Sequence, residues 1–345
     1  MVLEKAYKKY YCLSYLEMEG YRVVFRSPRI VNLENFLVEP PNSNELLIRT
    51  LYTLISPGTE IAYLMSLPNT PQVFPQYPGY SNIGVVEKIG KDVTNFKEGE
   101  IVASASKHAS YVKSSAQLTF KVPEGLSPKE ASFFRLGAIV LQGIRKSRVE
   151  LGESAIVLGL GLIGQIAAQL LKLSGALPVV AVDLVNNRLS TAKALGADYT
   201  FNPSKVDVEE EVKKVTEGKG ANIVIEATGS PEAVNLAFKL ASRKGRIVLL
   251  GSTRGVSTVN FYEIHRKGLI IIGAHNSVRP LYESYKNYWT EEDDVKAIFK
   301  LMVKGLLRCK ELISRVVKFS EAPKAYELLL EKKDEVLGIL LEWSS

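Results

Sequence analysis

Gly159, Gly161 and Gly164 stand in the spacing G-x-G-x-x-G within AIVLGLGLIGQIAAQLL. Such a run can hold a pyrophosphate. Gly159 permits a tight turn, Gly161 lets the backbone approach the ligand, and Gly164 lets helix and strand pack closely. The helix opening at Leu162 and Ile163 offers free N–H groups and a positive dipole end. Asp183 ends the next apolar run, 19 residues beyond Gly164, close to the roughly 20 that a dinucleotide site needs. A carboxylate there accepts hydrogen bonds from both ribose hydroxyls and repels a 2′-phosphate, so NAD is expected over NADP. Arg188 keeps NADP open, because a guanidinium can pair with a phosphate; its other reading is a solvated helix residue. Ala227 and Thr228 in ATG, Gly251 and Ser252 in LGS, and His275 in GAH end later apolar runs, where an open α/β sheet holds its ligand.

A second group of reactive side chains lies earlier. LISPGTEIAYL (54–64) carries Thr59 and Glu60 beside a Pro-Gly turn. The hydroxyl either relays a proton or satisfies the turn. The carboxylate acts as a base, orients a partner or forms a structural ion pair. His108, in SASKHASYV, titrates near neutrality and is the first expectation for a general acid or base, against a surface histidine. His275 is expected to line the nicotinamide pocket and His265 to be structural.

These residues need elements to position them. Up to about residue 123 the chain shows short alternating runs with frequent Gly and Pro, such as NELLIRTLYTLIS and GVVEKIG, which reads as a β-rich module. Ser127-Pro128-Lys129-Glu130 has the pattern of a helix start, and Ser230-Pro231-Glu232 repeats it. From about 154 the apolar runs AIVLGL, PVVAVD, ADYTFN, ANIVIEAT, GRIVLLG and GLIIIGA alternate with helical patterns. Their continuous apolarity predicts strands covered on both faces, in a doubly wound parallel sheet. DVEEEVKKVTEGKG is expected to be a solvated helix pairing Glu209 with Lys213 and Glu210 with Lys214. Thr290-Glu291-Glu292-Asp293 reads as a helix cap.

The 345 residues suggest two domains. The net charge of +7 comes from scattered Lys and Arg, which points to solubility and not to nucleic-acid binding. Two cysteines, Cys12 and Cys309, imply no disulfide framework. Neither a signal peptide nor a membrane span is expected, so the expected location is the cytoplasm.

The glycine fingerprint behind a β-rich module resembles the medium-chain dehydrogenase/reductase superfamily, the zinc-alcohol-dehydrogenase-like enzymes. The stretches that carry the likeness are PGYSNIGVVEKIGKDVTNFKEGEIV, VELGESAIVLGLGLIGQIAAQLLKLSG and RLSTAKALGADYTFN. The resemblance implies a GroES-like catalytic domain from both chain ends (1–136 and 276–345), a Rossmann domain between (137–275), a cleft at their junction, and a homodimer or homotetramer. In metal-dependent members a Cys, a Gly-His-Glu and a further Cys or Glu hold zinc. Here those positions fall on Pro57, on Gly79-Tyr80-Ser81 and near Ala138, so no zinc is expected. SPGTE, PGY and KHASY look more like the zinc-free branch that includes bacteriochlorophyllide-type dehydrogenases.

The resemblance implies that Thr59 occupies a proton-relay position and that Tyr80, in the place of a metal-ligand histidine, points into the cleft as a hydrogen-bond donor or fills the vacated space. The expected activity is zinc-independent hydride transfer between NAD and a secondary alcohol or ketone: a polyol, sugar-derived or hydroxyalkyl substrate. Two alternatives stand beside it: a quinone or enoyl reductase without zinc, and a nucleotide-binding protein without catalysis. Aromatic residues of the loops around 60–78 and 276–290 (Tyr63, Phe74, Tyr77, Tyr282, Tyr285 and Trp289) are expected either to wall the substrate pocket or to pack structurally.

Overall fold

The computed structural model describes residues 18–256, 258–278, 289–332 and 334–343. Tyr282 and Tyr285 lie outside them. Six parallel strands form one sheet in the order Tyr199–Phe201, Val179–Val182, Ala155–Leu158, Ala221–Glu226, Ala241–Leu249, Ile270–Gly273. In chain order this is 3-2-1-4-5-6, the doubly wound arrangement that reverses direction beside the first strand. Ala155–Leu158 and Val179–Val182 are buried along their whole length. That is why they read as unbroken apolar runs instead of alternating ones. Among the helices between strands, Leu162–Leu173 follows the first strand and Pro231–Leu240 the fourth, with the Ser230 side chain accepting from the Ala233 N–H at 3.2 Å.

The second sheet has seven strands. Ile313–Lys318, Gly338–Glu342, Glu45–Ile55, Asn82–Ile89, Ile101–Ser104 and Thr119–Lys121 lie side by side, and Tyr111–Ser115 also pairs with Glu45–Ile55. Its strands therefore come from both ends of the chain. The protein is a Rossmann sheet joined to a β-rich GroES-like domain. Among the described residues no helix is long and apolar enough to cross a membrane.

One continuous apolar core ties the two together. It contains Leu54, Ile83 and Ala103 from the β-rich domain, Phe133 and Phe134, and Val157, Leu160 and Leu162 from the parallel sheet and its first turn. The helix Phe134–Ser147 spans the boundary expected at 136/137. Gly143 brings it against Leu250, Val248 and Ala274 of the parallel sheet, and Gly137 brings it against Ile298 of the helix Glu291–Val303. The latter helix starts at a capping box between Thr290 and Asp293.

Three local expectations change. The helix start at Ser127 gives only the short Pro128–Ala131, and its serine makes no cap hydrogen bond. On Val208–Val215, Glu209 pairs with Lys213 at 3.0 Å, but Lys214 takes Glu211 at 2.6 Å instead of Glu210. The expected Pro-Gly turn at SPGTE is the first turn of a helix, Pro57–Leu64. Proline is well placed there, because the first N–H groups of a helix have no internal partner to lose.

Gly164 sets the closest approach in the parallel domain. A Cβ on it would stand 1.8 Å from the Gly159 carbonyl oxygen. Gly164→Ala is expected to force helix and strand apart and to cost about 1–3 kcal/mol or more, measured as a lower midpoint in guanidinium unfolding.

Candidate active site

The glycine turn is built for a ligand at its rim. Gly159 adopts φ +86, and a Cβ there would strike the Thr228 side chain at 2.4 Å. Gly161 is the N-cap of Leu162–Leu173, and nothing lies within 4 Å of where its Cβ would be. The open space therefore stands before the free N–H groups of a helix that Leu162 and Ile163 begin, where a phosphate fits. Asp183 lies beside the turn. Its Oδ2 accepts the Leu160 N–H at 2.6 Å, its Oδ1 accepts the Val185 N–H at 2.8 Å, and Arg188 Nη1 stands 4.0 Å away. Each carboxylate oxygen keeps a further lone pair.

Glu226, fully buried at the end of the fourth strand, shapes the neighbouring turn. Its carboxylate accepts the Thr228 N–H at 2.7 Å, the Thr228 hydroxyl, and the Gly229 N–H at 3.1 Å. Its carbonyl takes the Gly251 N–H at 2.7 Å. Ala227, Thr228, Gly251 and the exposed Ser252 thus cluster with the glycine turn at one edge of the sheet. His275 is exposed, its Nδ1 2.7 Å from Ser277 Oγ. His265 is exposed in the helix Phe261–Lys267.

The helix Pro57–Leu64 carries a second wall of polar side chains. Tyr80 donates its hydroxyl to Ser56 Oγ at 2.5 Å and reaches Thr59 Oγ1 at 3.5 Å. Tyr80 and Thr59 are both half-buried. Burial pushes the Tyr80 phenol above its ordinary value, and the nearby Glu60 charge adds to this, against the hydroxyl hydrogen bonds and Arg135. The result is a neutral phenol beside two hydroxyls.

Beneath that wall Glu60 and His108 meet out of solvent. His108 Nε2 lies 2.9 Å from Glu60 Oε2, with side-chain exposures of 0% and 2%. The Tyr326 hydroxyl donates to the same oxygen, and the Ser56 N–H donates to Glu60 Oε1 at 2.8 Å. The ring proton of His108 is assigned to Nε2, where a carboxylate accepts it. Gly79, at φ +98, is required against the imidazole: a Cβ there would sit 2.8 Å from its Cγ. His108, the first expectation for a general acid or base, and Glu60 are thus both placed out of solvent, against each other. Sequence reading missed Ser56, which sat unassigned in SPGTE. It also missed Tyr326, 266 residues from Glu60, which had no local signal.

The zinc-ligand positions carry a different donor set. Pro57 has no donor atom, Ala138 is a fully buried methyl, and the Tyr80 oxygen is engaged with hydroxyls. Such residues do not fit zinc, which takes thiolates, imidazoles and carboxylates. Of the loop aromatics, Tyr63, Phe74, Tyr77 and Trp289 are among the described residues. Tyr63 and Phe74 lie against the core around Tyr326, Tyr77 stacks on Arg22 at 4.2 Å, and Trp289 on Arg145 at 3.7 Å.

Comparison with known proteins fits this arrangement. Residues 163–291 match the family model for zinc-binding dehydrogenases. D-guloside 3-dehydrogenase of Shigella flexneri is 26% identical over 343 residues, which cover 91% of this chain and 97% of that protein. An Escherichia coli oxidoreductase/dehydrogenase of unknown specificity has the same fold, with a TM-score of 0.83 at 23% identity over 94% of this chain and 99% of the other. A structure from Sinorhizobium meliloti bound to NADP gives a TM-score of 0.81 at 22% identity, covering 94% of this chain and all of the other. Over most of its length the chain is similar to dehydrogenases and to a zinc-type alcohol dehydrogenase-like protein of Escherichia coli. The named relatives are dehydrogenases, which supports an oxidoreductase.

The buried cluster makes a pH-dependent contribution to stability. Burial, and then the Glu60 carboxylate, push the Tyr326 phenol well above its usual 10.0. A raised pKa favours the folded state below the unfolded value, and the contribution is lost as pH climbs above about 10. Tyr326→Phe is expected to lower stability near neutral pH by about 1–3 kcal/mol and to flatten the alkaline decline, as read from urea midpoints between pH 7 and pH 11.

Proposed function

We propose that this protein transfers hydride between NAD and a secondary alcohol or ketone of the polyol or sugar-derived class, with no metal. The observation that carries the reading is the Tyr80 phenol held by Ser56 and Thr59 in that wall of polar side chains, at a position where relatives carry a metal ligand. The Shigella relative named for a sugar derivative supports the substrate class, and the NADP-bound neighbour supports a nicotinamide cofactor.

Bound along the Gly159–Gly164 turn, the nicotinamide would supply or accept the hydride. The chain does the rest. The helix N-terminus after Gly161 takes the pyrophosphate, and Asp183 takes the ribose hydroxyls. In the reducing direction Tyr80 gives its proton to the developing alkoxide and recovers one through the Ser56 and Thr59 hydroxyls. In the oxidising direction the same path carries the alcohol proton away. Glu60, His108 and Tyr326 act as positioning residues: they pin the start of the helix that bears Ser56 and Thr59. The absence of any donor atom on Pro57 and Ala138 supports catalysis without zinc. Asp183 supports NAD, and its contact with Leu160 makes the same carboxylate part of the turn. We propose a homodimer or homotetramer, supported by the edge strand Ile270–Gly273, whose Ile270 and Ile271 are 52% and 42% exposed.

Tyr80→Phe is expected to lower kcat about 10²-fold or more in steady-state assays on a polyol panel, with a chelator leaving the wild type unchanged. A loss of only a few-fold makes Tyr80 a pocket wall, and loss of activity to the chelator rejects the metal-free reading. Asp183→Ser is expected to weaken NADH binding and narrow the NADH-over-NADPH preference in fluorescence titrations. Unchanged selectivity contradicts the ribose assignment.

A further inference from the structure

Arg254 is the half-buried arginine that lacks a carboxylate among the described residues. Arg22 pairs with Glu34 at 2.5 Å, while Arg145 holds Asp294 and Arg246 holds Glu153. Arg254 instead gives one N–H to a backbone carbonyl, that of Asn69, at 3.3 Å. Asn69 returns a side-chain N–H to the Thr253 carbonyl at 3.1 Å. The two residues thus clasp a loop of the parallel sheet to a loop of the β-rich domain.

The position of this clasp matters. Arg254 lies three residues beyond Gly251, at the strand edge that carries the glycine turn. Asn69 follows the helix that carries Thr59. The guanidinium stands within electrostatic reach of the Tyr63 and Tyr80 phenols, and burial lowers its pKa without removing its charge. Arginine has five N–H donors in a planar fork and no acceptor. Four remain after the Asn69 bond. Two neutral phenols do not neutralise a partly desolvated cation. A carboxylate or phosphate does, through two parallel hydrogen bonds.

We infer that Arg254 forms an anion subsite in the cleft, so that the preferred substrate is a hydroxy compound carrying a carboxylate or a phosphate ester. The inference rests on the proposed dehydrogenase reading and narrows its substrate class. The anion binds the guanidinium fork while the carbinol carbon lies towards Tyr80. The Asn69 contact fixes the arginine across the domain junction.

The test has a binding arm and a turnover arm. Malonate and inorganic phosphate are titrated into the protein saturated with NADH. Binding to the wild type that weakens about tenfold or more in Arg254→Gln and is partly restored in Arg254→Lys supports the subsite. No binding, or equal binding to the wild type and Arg254→Gln, overturns it. In the turnover arm, matched pairs are compared: a polyol against its phosphate monoester, and a sugar against its uronic acid. A preference in kcat/KM of about tenfold or more for the charged member, lost in Arg254→Gln at unchanged NADH affinity, supports the inference. An equal kcat/KM for both members overturns it, as does a loss confined to NADH affinity, which would assign the cation to the cofactor phosphates. Anion binding that depends on Arg254, with no turnover of either class, supports the subsite and rejects the dehydrogenase reading.

Discussion

A carboxylate with 2% exposure needs hydrogen-bond donors around it. Glu60 meets that condition by drawing in three parts of the chain. The Ser56 N–H comes from its own helix start, the His108 imidazole from the segment before Tyr111–Ser115, and the Tyr326 hydroxyl from the helix Ala322–Glu331. Removing any one leaves a buried charge short of a partner, which costs more than the hydrogen bond itself contributes. The two chain ends are therefore locked together under the helix that bears Ser56 and Thr59. Phe25 packs edge-on against Tyr326 at 5.1 Å and closes the cluster on its apolar side.

That arrangement divides the polar residues by depth. Glu60, His108 and Tyr326 lie below and hold geometry. Tyr80 and Thr59 are only partly buried. Pro57 and Ala138 bring no side-chain donor to this region, and the Tyr80 hydroxyl is engaged with Ser56 and Thr59. The cofactor side is separate in origin but not in packing. Its glycine turn shares one apolar core with Leu54 and Ile83, and Tyr80 packs against that core. The wall and the turn consequently keep a fixed relation.

The parallel sheet was legible because each of its signals is local. An apolar run, a glycine spacing and an acid at the next strand end all fall within thirty residues, and each has a steric reason. The carbonyl of Gly159 leaves no room for a side chain on Gly164, and the space before Gly161 is open. The β-rich module was legible as a texture only, since its strand order joins segments almost 300 residues apart, such as Thr53 and Leu341. SPGTE was read as a turn because Pro-Gly serves a turn and a first helical turn equally well. The residues after the pair decide between the two, and here Glu60, Ala62 and Leu64 supply the buried face of a helix.

The sequence by itself determined the parallel sheet and its glycine turn, which follow from residue type and short-range spacing. Only the tertiary structure decided the depth of each polar residue. His108 and Tyr80 look equally reactive as letters. Burial separates them: Gly79 admits the imidazole into a sealed pocket against Glu60, while the phenol remains at the wall with Ser56 and Thr59. Solvent exposure depends on contacts across the whole chain, so short-range spacing could not assign it. The same holds for Arg254, which has no carboxylate partner among the described residues because of what the fold sets beside it.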